Sequence, residues 1–143
     1  MKELSVLLLC LAVVAGFSVP AFSLTVIPAD SAESLAHSLA GAGITISDVR
    51  FAGDLAAAGY FSEGPAETGL EKGTVLTTGF ASNLNGTSNT SDEITGVNNT
   101  AGDPGLDAMI PGYSAFDAAV LSFDFIPSGD TLEFSCIFGS ERI

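Results

Sequence analysis

Short stretches in which apolar and polar residues alternate constrain this chain more than any other feature of its sequence. Residues 44–51 alternate in this way and are rich in β-branched side chains, which is typical of a half-buried strand. Gly, Pro or Asp residues bound this stretch and the others like it. The pattern predicts strands over residues 44–51, 59–62, 73–79, 120–126 and 131–138, and therefore a mainly β fold.

The last two of these stretches are expected to form a hairpin. Residues 127–130 read Pro-Ser-Gly-Asp, a typical turn sequence, and separate residues 120–126 from 131–138. One face of the hairpin would carry aromatic side chains and build the core, with Cys136 on it as a buried, inert thiol. The alternative, if the chain is truncated, is an exposed Cys136 that forms an intermolecular disulfide. The side chains predicted for these faces are Leu121, Phe123, Phe125, Leu132, Phe134, Cys136 and Phe138.

A single short helix is predicted near the start of the domain. Ala32, Leu35, Ala36 and Leu39 follow helical spacing, and Gly41 and Gly43 end it. Asp30 is expected to cap this helix, with Glu33 completing a capping box. Short strands, turns and one early helix together predict a jelly-roll-like β-sandwich.

The number of predicted strands is low for such a sandwich. An immunoglobulin-like sandwich has roughly seven strands, whereas the alternation predicts five. We therefore expect the fold to be incomplete at its C-terminal end, the alternative being a small complete domain with an edge strand at its end.

The first 23 residues have the form of a secretory signal peptide. Lys2 precedes an apolar run over residues 4–19, and Ala21-Phe22-Ser23 places small residues before the expected cleavage site at Leu24. The run is shorter than the roughly 20 residues of a spanning helix, although an uncleaved anchor is the alternative. We expect a secreted or cell-surface domain over residues 24–143, with Cys136 as its lone cysteine and no membrane span after cleavage.

Charge and composition exclude several functions. The formal net charge is -13, and nucleic acid or an anionic membrane needs Lys and Arg in its partner. The chain has no Trp and one His, His37, which lies off the apolar stripe of the predicted helix. We predict no catalytic site, because no second His and no paired base accompany the many Ser residues.

A polar segment over residues 80–116 carries carboxylates that suggest a metal. Extracellular Ca²⁺ takes six to eight oxygen ligands from carboxylates, carbonyls and water. Asp103, Asp107 and Asp117 lie in or beside this segment, and Glu141 ends the last predicted strand. These four residues are the predicted calcium ligands, with a solvated acidic surface as the alternative, since no EF-hand spacing is present.

Several stretches, taken in order, resemble the choice-of-anchor L domain. They are residues 43–53, 58–61, 69–79, 102–107, 116–127 and 134–141. The resemblance implies a secreted or surface-attached microbial protein with an extracellular β-rich domain and no established reaction. Near its end the family pattern has two acids and an aromatic residue. Glu141 matches the first acid, but Arg142 and Ile143 replace the others.

Three functions follow from these observations. The first is a non-enzymatic secreted or cell-surface β-sandwich with an adhesion, matrix or envelope role and a glycan or surface protein as its partner. The second is a calcium-dependent carbohydrate-binding module. The third is a glycan hydrolase, which two carboxylates would permit, although a protein without Trp has few aromatic platforms for a sugar ring.

Overall fold

The computed structural model of the chain describes residues 24–64, 69–86 and 91–139. The predicted signal peptide and the predicted calcium ligand Glu141 lie outside these residues. In chain order the elements are β1 (Thr25–Pro28), α1 (Ala32–Leu39), β2 (Ile44–Ala52), a 3₁₀ turn (Leu55–Ala57), β3 (Ala58–Ser62), β4 (Lys72–Leu76), a second 3₁₀ turn (Ala81–Leu84), α2 (Pro104–Met109) and β5 (Val120–Pro127).

The first sheet has the strand order β1-β3-β4 and is antiparallel throughout. Phe61 on β3 lies opposite Val26 on one side and Gly73 on the other. A Cβ added at Gly73 would lie 2.9 Å from the Phe61 ring. The glycine therefore makes room for the aromatic side chain, which covers its backbone in turn.

The second sheet pairs β2 with β5. The antiparallel register runs from Ile44 opposite Pro127 to Ala52 opposite Val120, with a shift between Ser47 and Arg50. Asp48, inside that shift, has a φ of 52°, a left-handed conformation that Asp tolerates better than most residues. The predicted strands at 44–51, 59–62, 73–79 and 120–126 are thus confirmed, with shifts of a few residues at their ends.

The predicted C-terminal hairpin is wrong. β5 pairs with β2, and the ladder continues beyond Pro127 because the Ser128 N–H donates to the Gly43 carbonyl at 2.8 Å. Among the described residues, no strand follows β5 to form the second arm of a hairpin. Residues 131–139 have no regular secondary structure, and Cys136 is exposed rather than buried.

The mainly β architecture with an early helix is confirmed, whereas the β-sandwich is not. The described residues form five strands in two antiparallel sheets, and neither sheet closes. Helix α1 contacts strands of both sheets, and its Ser38 hydroxyl lies 2.5 Å from that of Thr74 on β4. The helix thus joins the two sheets.

The N-terminal cap of α1 is shifted by one residue from the predicted one. Ser31, not Asp30, precedes the helix, and its Oγ accepts from the Ser34 N–H at 3.1 Å. The short Ser side chain satisfies a helix-end N–H as an Asp side chain would.

The core is small and made mostly of alanine. The buried apolar residues lie on α1, β1, β3 and the two 3₁₀ turns: Val26, Leu35, Ala36, Ala57, Ala58 and Ala81. Within the described ranges, none of the helices has the length and hydropathy needed to cross a membrane.

Candidate functional site

A loop over residues 100–118 leaves the body of the protein and returns to the place where it began. The Asp117 N–H donates to the Thr100 carbonyl at 3.1 Å, and the Ala118 N–H donates to the Ala101 carbonyl at 3.2 Å. Ala101 and Phe116 also form an isolated β-bridge. Closed surface loops of this kind often carry function. We call it the 100–118 loop.

Asp117 closes the base of the loop with its side chain. Its Oδ1 accepts from the Thr100 N–H at 2.6 Å and from the Thr100 hydroxyl at 3.3 Å. The residue is 8% exposed and has a φ of 53°. A short polar side chain that tolerates the left-handed region is needed here, and an acceptor is needed for the Thr100 N–H.

Asp103 and Asp107 order the interior of the loop. The Asp103 Oδ1 caps α2 by accepting from the N–H groups of Gly105 and Leu106, at 2.8 and 3.1 Å. Pro104 begins the helix, where it loses no hydrogen bond. The Asp107 Oδ1 accepts from the Ala115 N–H at 2.5 Å and so ties the returning chain to the helix.

Glycine is required at one contact inside the loop. A Cβ added at Gly102 would lie 2.0 Å from the Ala115 carbonyl oxygen. The two arms of the loop thus approach each other more closely than any side chain allows. This contact and the three aspartates hold the loop in one conformation.

Three of the four predicted calcium ligands lie on one loop, but each forms hydrogen bonds at a different place in it. Asp103, Asp107 and Asp117 each accept backbone N–H groups from separate parts of the loop. Among the residues that the structure describes, no three His, Cys, Asp or Glu side chains form a group that could hold a metal ion. Calcium binding that also involves Glu141 stays a prediction.

The loop displays large apolar side chains to solvent, which the sequence reasoning missed. Tyr113 is 79% exposed and Phe116 is 73% exposed, although both lie within a well hydrogen-bonded segment. The exposed apolar side chains of the loop are Leu106, Met109, Ile110, Tyr113 and Phe116. The Asp-Pro pair at 103–104 signalled a helix start, whereas nothing in the sequence showed that these side chains are exposed.

Asparagine side chains anchor the polar segment that leads into the loop. The Asn98 Nδ2 donates to the Gly79 carbonyl at 2.6 Å, while its Oδ1 is buried without a hydrogen-bond partner in the described structure. The Asn85 side chain accepts from the Val26 N–H and donates to the Val26 carbonyl, at 2.7 and 2.9 Å. Asn85 thus pairs with β1 as another strand would, and the polar segment is fixed to the first sheet.

Comparison with known proteins gives one match. A family model for the choice-of-anchor L domain matches residues 25–143. No curated protein and no solved structure matches the chain.

Proposed function

The chain belongs to the choice-of-anchor L domain family, and from this premise we propose that it is a non-enzymatic adhesion or matrix domain that binds its partner through the 100–118 loop. The family suggests a surface or secreted protein. In that setting, the partner would be a glycan or protein of the cell envelope or the extracellular matrix.

The display of apolar side chains on an ordered loop is the observation that carries this proposal. Exposed apolar groups that lie together often mark an interaction surface. Tyr113 and Phe116 lie on a backbone that Asp107 and Asp117 already fix by hydrogen bonds. A loop that is ordered before binding loses less conformational entropy when the partner arrives.

Charge narrows the chemistry of the partner. No Lys, Arg or His occurs between Lys72 and Arg142, so the loop and the sequence on either side of it carry only negative formal charges. Electrostatic repulsion disfavours a polyanionic partner. A neutral glycan, or a protein surface that combines apolar with basic groups, would be complementary.

Binding to envelope and matrix fractions tests the proposal. Residues 24–143, the chain expected after signal cleavage and called the exported chain here, are mixed with these fractions of the source organism. The fraction of protein that co-sediments is measured over a range of protein concentrations. We expect saturable binding, and we expect Tyr113→Ser with Phe116→Ser to weaken it by about tenfold or more, as for truncated aromatic anchors.

A matched control makes this test specific. Ile27→Ser with Ile126→Ser removes two side chains that are 61% and 69% exposed outside the loop, and we expect it to bind as the parent does. The proposal fails if binding is not saturable, or if the loop variant binds like the control.

Calcium-dependent carbohydrate binding is the second candidate. It is favoured by the presence of an exposed aromatic side chain, Tyr113, on the same loop as Asp103, Asp107 and Asp117. A glycan array probed in Ca²⁺ and then in chelator separates it from the first candidate. This candidate predicts glycan binding that needs Ca²⁺ and is lost in Tyr113→Ala, whereas binding unchanged by chelator argues against it.

The calcium hypothesis also predicts a change in stability. A ligand that binds only the folded state at a hundred times its Kd stabilises it by about 2.7 kcal/mol. The melting temperature of the exported chain should therefore rise in saturating Ca²⁺ relative to chelator. Equal melting temperatures would remove calcium from the account.

A further inference from the structure

The segment over residues 131–139 has the pattern of a strand but pairs with no strand among the described residues. Leu132, Phe134, Cys136 and Phe138 alternate with other residues, so an extended backbone would place them on one face. The side chain of Phe138 is 94% exposed and that of Phe134 is 75% exposed. Within the described residues, no backbone pairing joins this segment to either sheet.

The segment lies near the second sheet without pairing with it. The Ser128 N–H donates to the Gly43 carbonyl at 2.8 Å and extends the β2–β5 ladder by one hydrogen bond. Beyond it, Leu132 and Phe134 line a groove of about 430 Å³ together with Ile44 on β2 and Phe123 and Phe125 on β5. Within the described residues, the backbone of the segment therefore forms no ladder with either strand.

We propose that residues 133–139 pair with the same residues of a second copy, as an antiparallel two-stranded ribbon centred on Cys136. In this register Cys136 faces Cys136, Phe134 faces Phe138, and Ser135 faces Ile137. In such a two-fold symmetric dimer both copies use the same surface, so the assembly ends at two copies.

The sequence around Cys136 is self-complementary in this register. Each copy sets Phe134 against the Phe138 of the other, which gives two cross-strand aromatic pairs of a favourable type. Glu133, the only charged residue of the segment, faces Gly139 rather than a second Glu133. Like charges therefore do not meet across the ribbon.

The exposed apolar area sets an upper limit on the interface. Phe134 and Phe138 on one face of the ribbon and Ile137 on the other are each more than half exposed. Given 150–250 Å² for a whole aromatic side chain, two copies would bury less than about 1,000 Å² through these side chains. This size is typical of a weak, reversible interface.

The negative charge on the rest of the molecule opposes dimerisation, so the dimer affinity should depend on the salt concentration. Two copies with a formal net charge of -13 each repel one another, and salt screens that repulsion. Because the paired segment itself is nearly uncharged, we expect the dimer to tighten as the salt concentration rises. A dimer held by ion pairs would instead weaken.

A disulfide between the two Cys136 residues would report the proposed register. With oxidised glutathione as the added oxidant, one Cys136 thiolate attacks its disulfide and releases one reduced glutathione. The Cys136 thiolate of the second copy then attacks the protein sulfur of this mixed disulfide and releases the second glutathione. Residues that face each other in an antiparallel pair have Cα atoms about 4.5–5.5 Å apart, which suits a disulfide.

Sedimentation velocity of the exported chain, kept reduced, tests the association. We expect a monomer–dimer equilibrium whose Kd rises by about thirtyfold or more in Phe138→Glu, as for the loss of a central aromatic contact. Phe116→Glu, an exposed aromatic on the 100–118 loop, is the control and should dimerise as the parent does. A monomer at all concentrations, or a dimer lost in Phe116→Glu but kept in Phe138→Glu, overturns the proposal.

Relocated cysteines test the register. In a Cys136→Ser background, Phe134→Cys and Phe138→Cys chains should cross-link to each other when mixed in oxidised glutathione, while either chain alone should cross-link little. The parent should form a reducible dimer that Cys136→Ser abolishes. Equal cross-linking of the single and mixed chains contradicts the stated register.

Discussion

At the scale of single residues, the aspartates of the 100–118 loop act as acceptors for backbone N–H groups. The sequence predicted oxygen-rich side chains in a polar segment and assigned them to a metal. The structure shows Asp103 at a helix start and Asp117 at the loop base. Composition alone does not distinguish metal binding from hydrogen bonding to backbone N–H groups, because a carboxylate oxygen serves both. The path of the backbone decides whether N–H groups lie within reach of the carboxylate.

Removing the Asp117 carboxylate is expected to destabilise the fold. Asp117→Ala leaves the Thr100 N–H without its acceptor, which costs about 1–3 kcal/mol for a buried donor. Asp117→Asn keeps an oxygen acceptor and tolerates the left-handed backbone, so it should lose less. Urea unfolding of both variants measures this.

Asp124→Ala provides the control for that prediction. Asp124 is exposed on β5, and such a surface substitution changes stability by about 0.5 kcal/mol or less. If Asp117→Ala unfolds at the same urea concentration as Asp124→Ala, Asp117 does not hold the loop base.

The pKa of Asp30 depends on the hydrogen bonds that its carboxylate accepts at the start of α1. A hydrogen bond from the Ser34 side chain is the main cause that lowers this pKa below its ordinary value of 3.8, and the Tyr60 hydroxyl, 3.2 Å away, contributes less. A lowered pKa means that the ionised form favours folding. This contribution is present above about pH 4 and is lost as the pH falls through the folded-state pKa.

Carboxyl NMR titration of Asp30 checks this cause. Ser34→Ala should raise the midpoint toward 3.8, because it removes the donor to the ionised carboxylate. Tyr60→Phe should raise it by a smaller amount. A midpoint that moves more in Tyr60→Phe than in Ser34→Ala would reverse the assigned order of causes.

At the scale of elements, alternation identified strands and failed where a strand lacks a partner. Residues 44–51 became β2 because β5 lies beside them. Residues 131–138 alternate equally well, but their backbone has no described pairing. The period of a sequence shows which faces a strand would have, whereas the ladder depends on where the rest of the chain runs. Helix α2 was missed because it has only six residues, too few for a helical period to stand out, although Asp103-Pro104 is a typical helix start.

Leu35 is predicted to be the side chain of helix α1 that contributes most to the free energy of unfolding of the protein. Leu35 is fully buried where α1 meets the sheets, and Leu35→Ala should cost about 2–5 kcal/mol. Leu39→Ala, on the same helix but 41% exposed, should cost clearly less. Thermal unfolding compares the two, and equal losses would mean that α1 does not pack through Leu35.

At the scale of the whole molecule, a small core supports an ordered loop. Two sheets and α1 form the body; Asn85 ties the polar segment to β1, and Asn98 ties it to Gly79, just beyond β4. Family membership was recognisable from ordered motifs in the sequence and is confirmed over residues 25–143. The apolar surface of the loop was not predictable, because its exposure depends on hydrogen bonds between residues far apart in the loop.

Amide hydrogen exchange of residues 24–143 tests most directly whether the 100–118 loop is ordered in the absence of a partner. The amides of Thr100, Ala115 and Ala118 donate to Asp117, Asp107 and Ala101. We predict that all three exchange at least about tenfold more slowly than in an unfolded chain, and that Asp117→Ala releases Thr100. Exchange of these amides at unfolded-chain rates would contradict a loop held in one conformation.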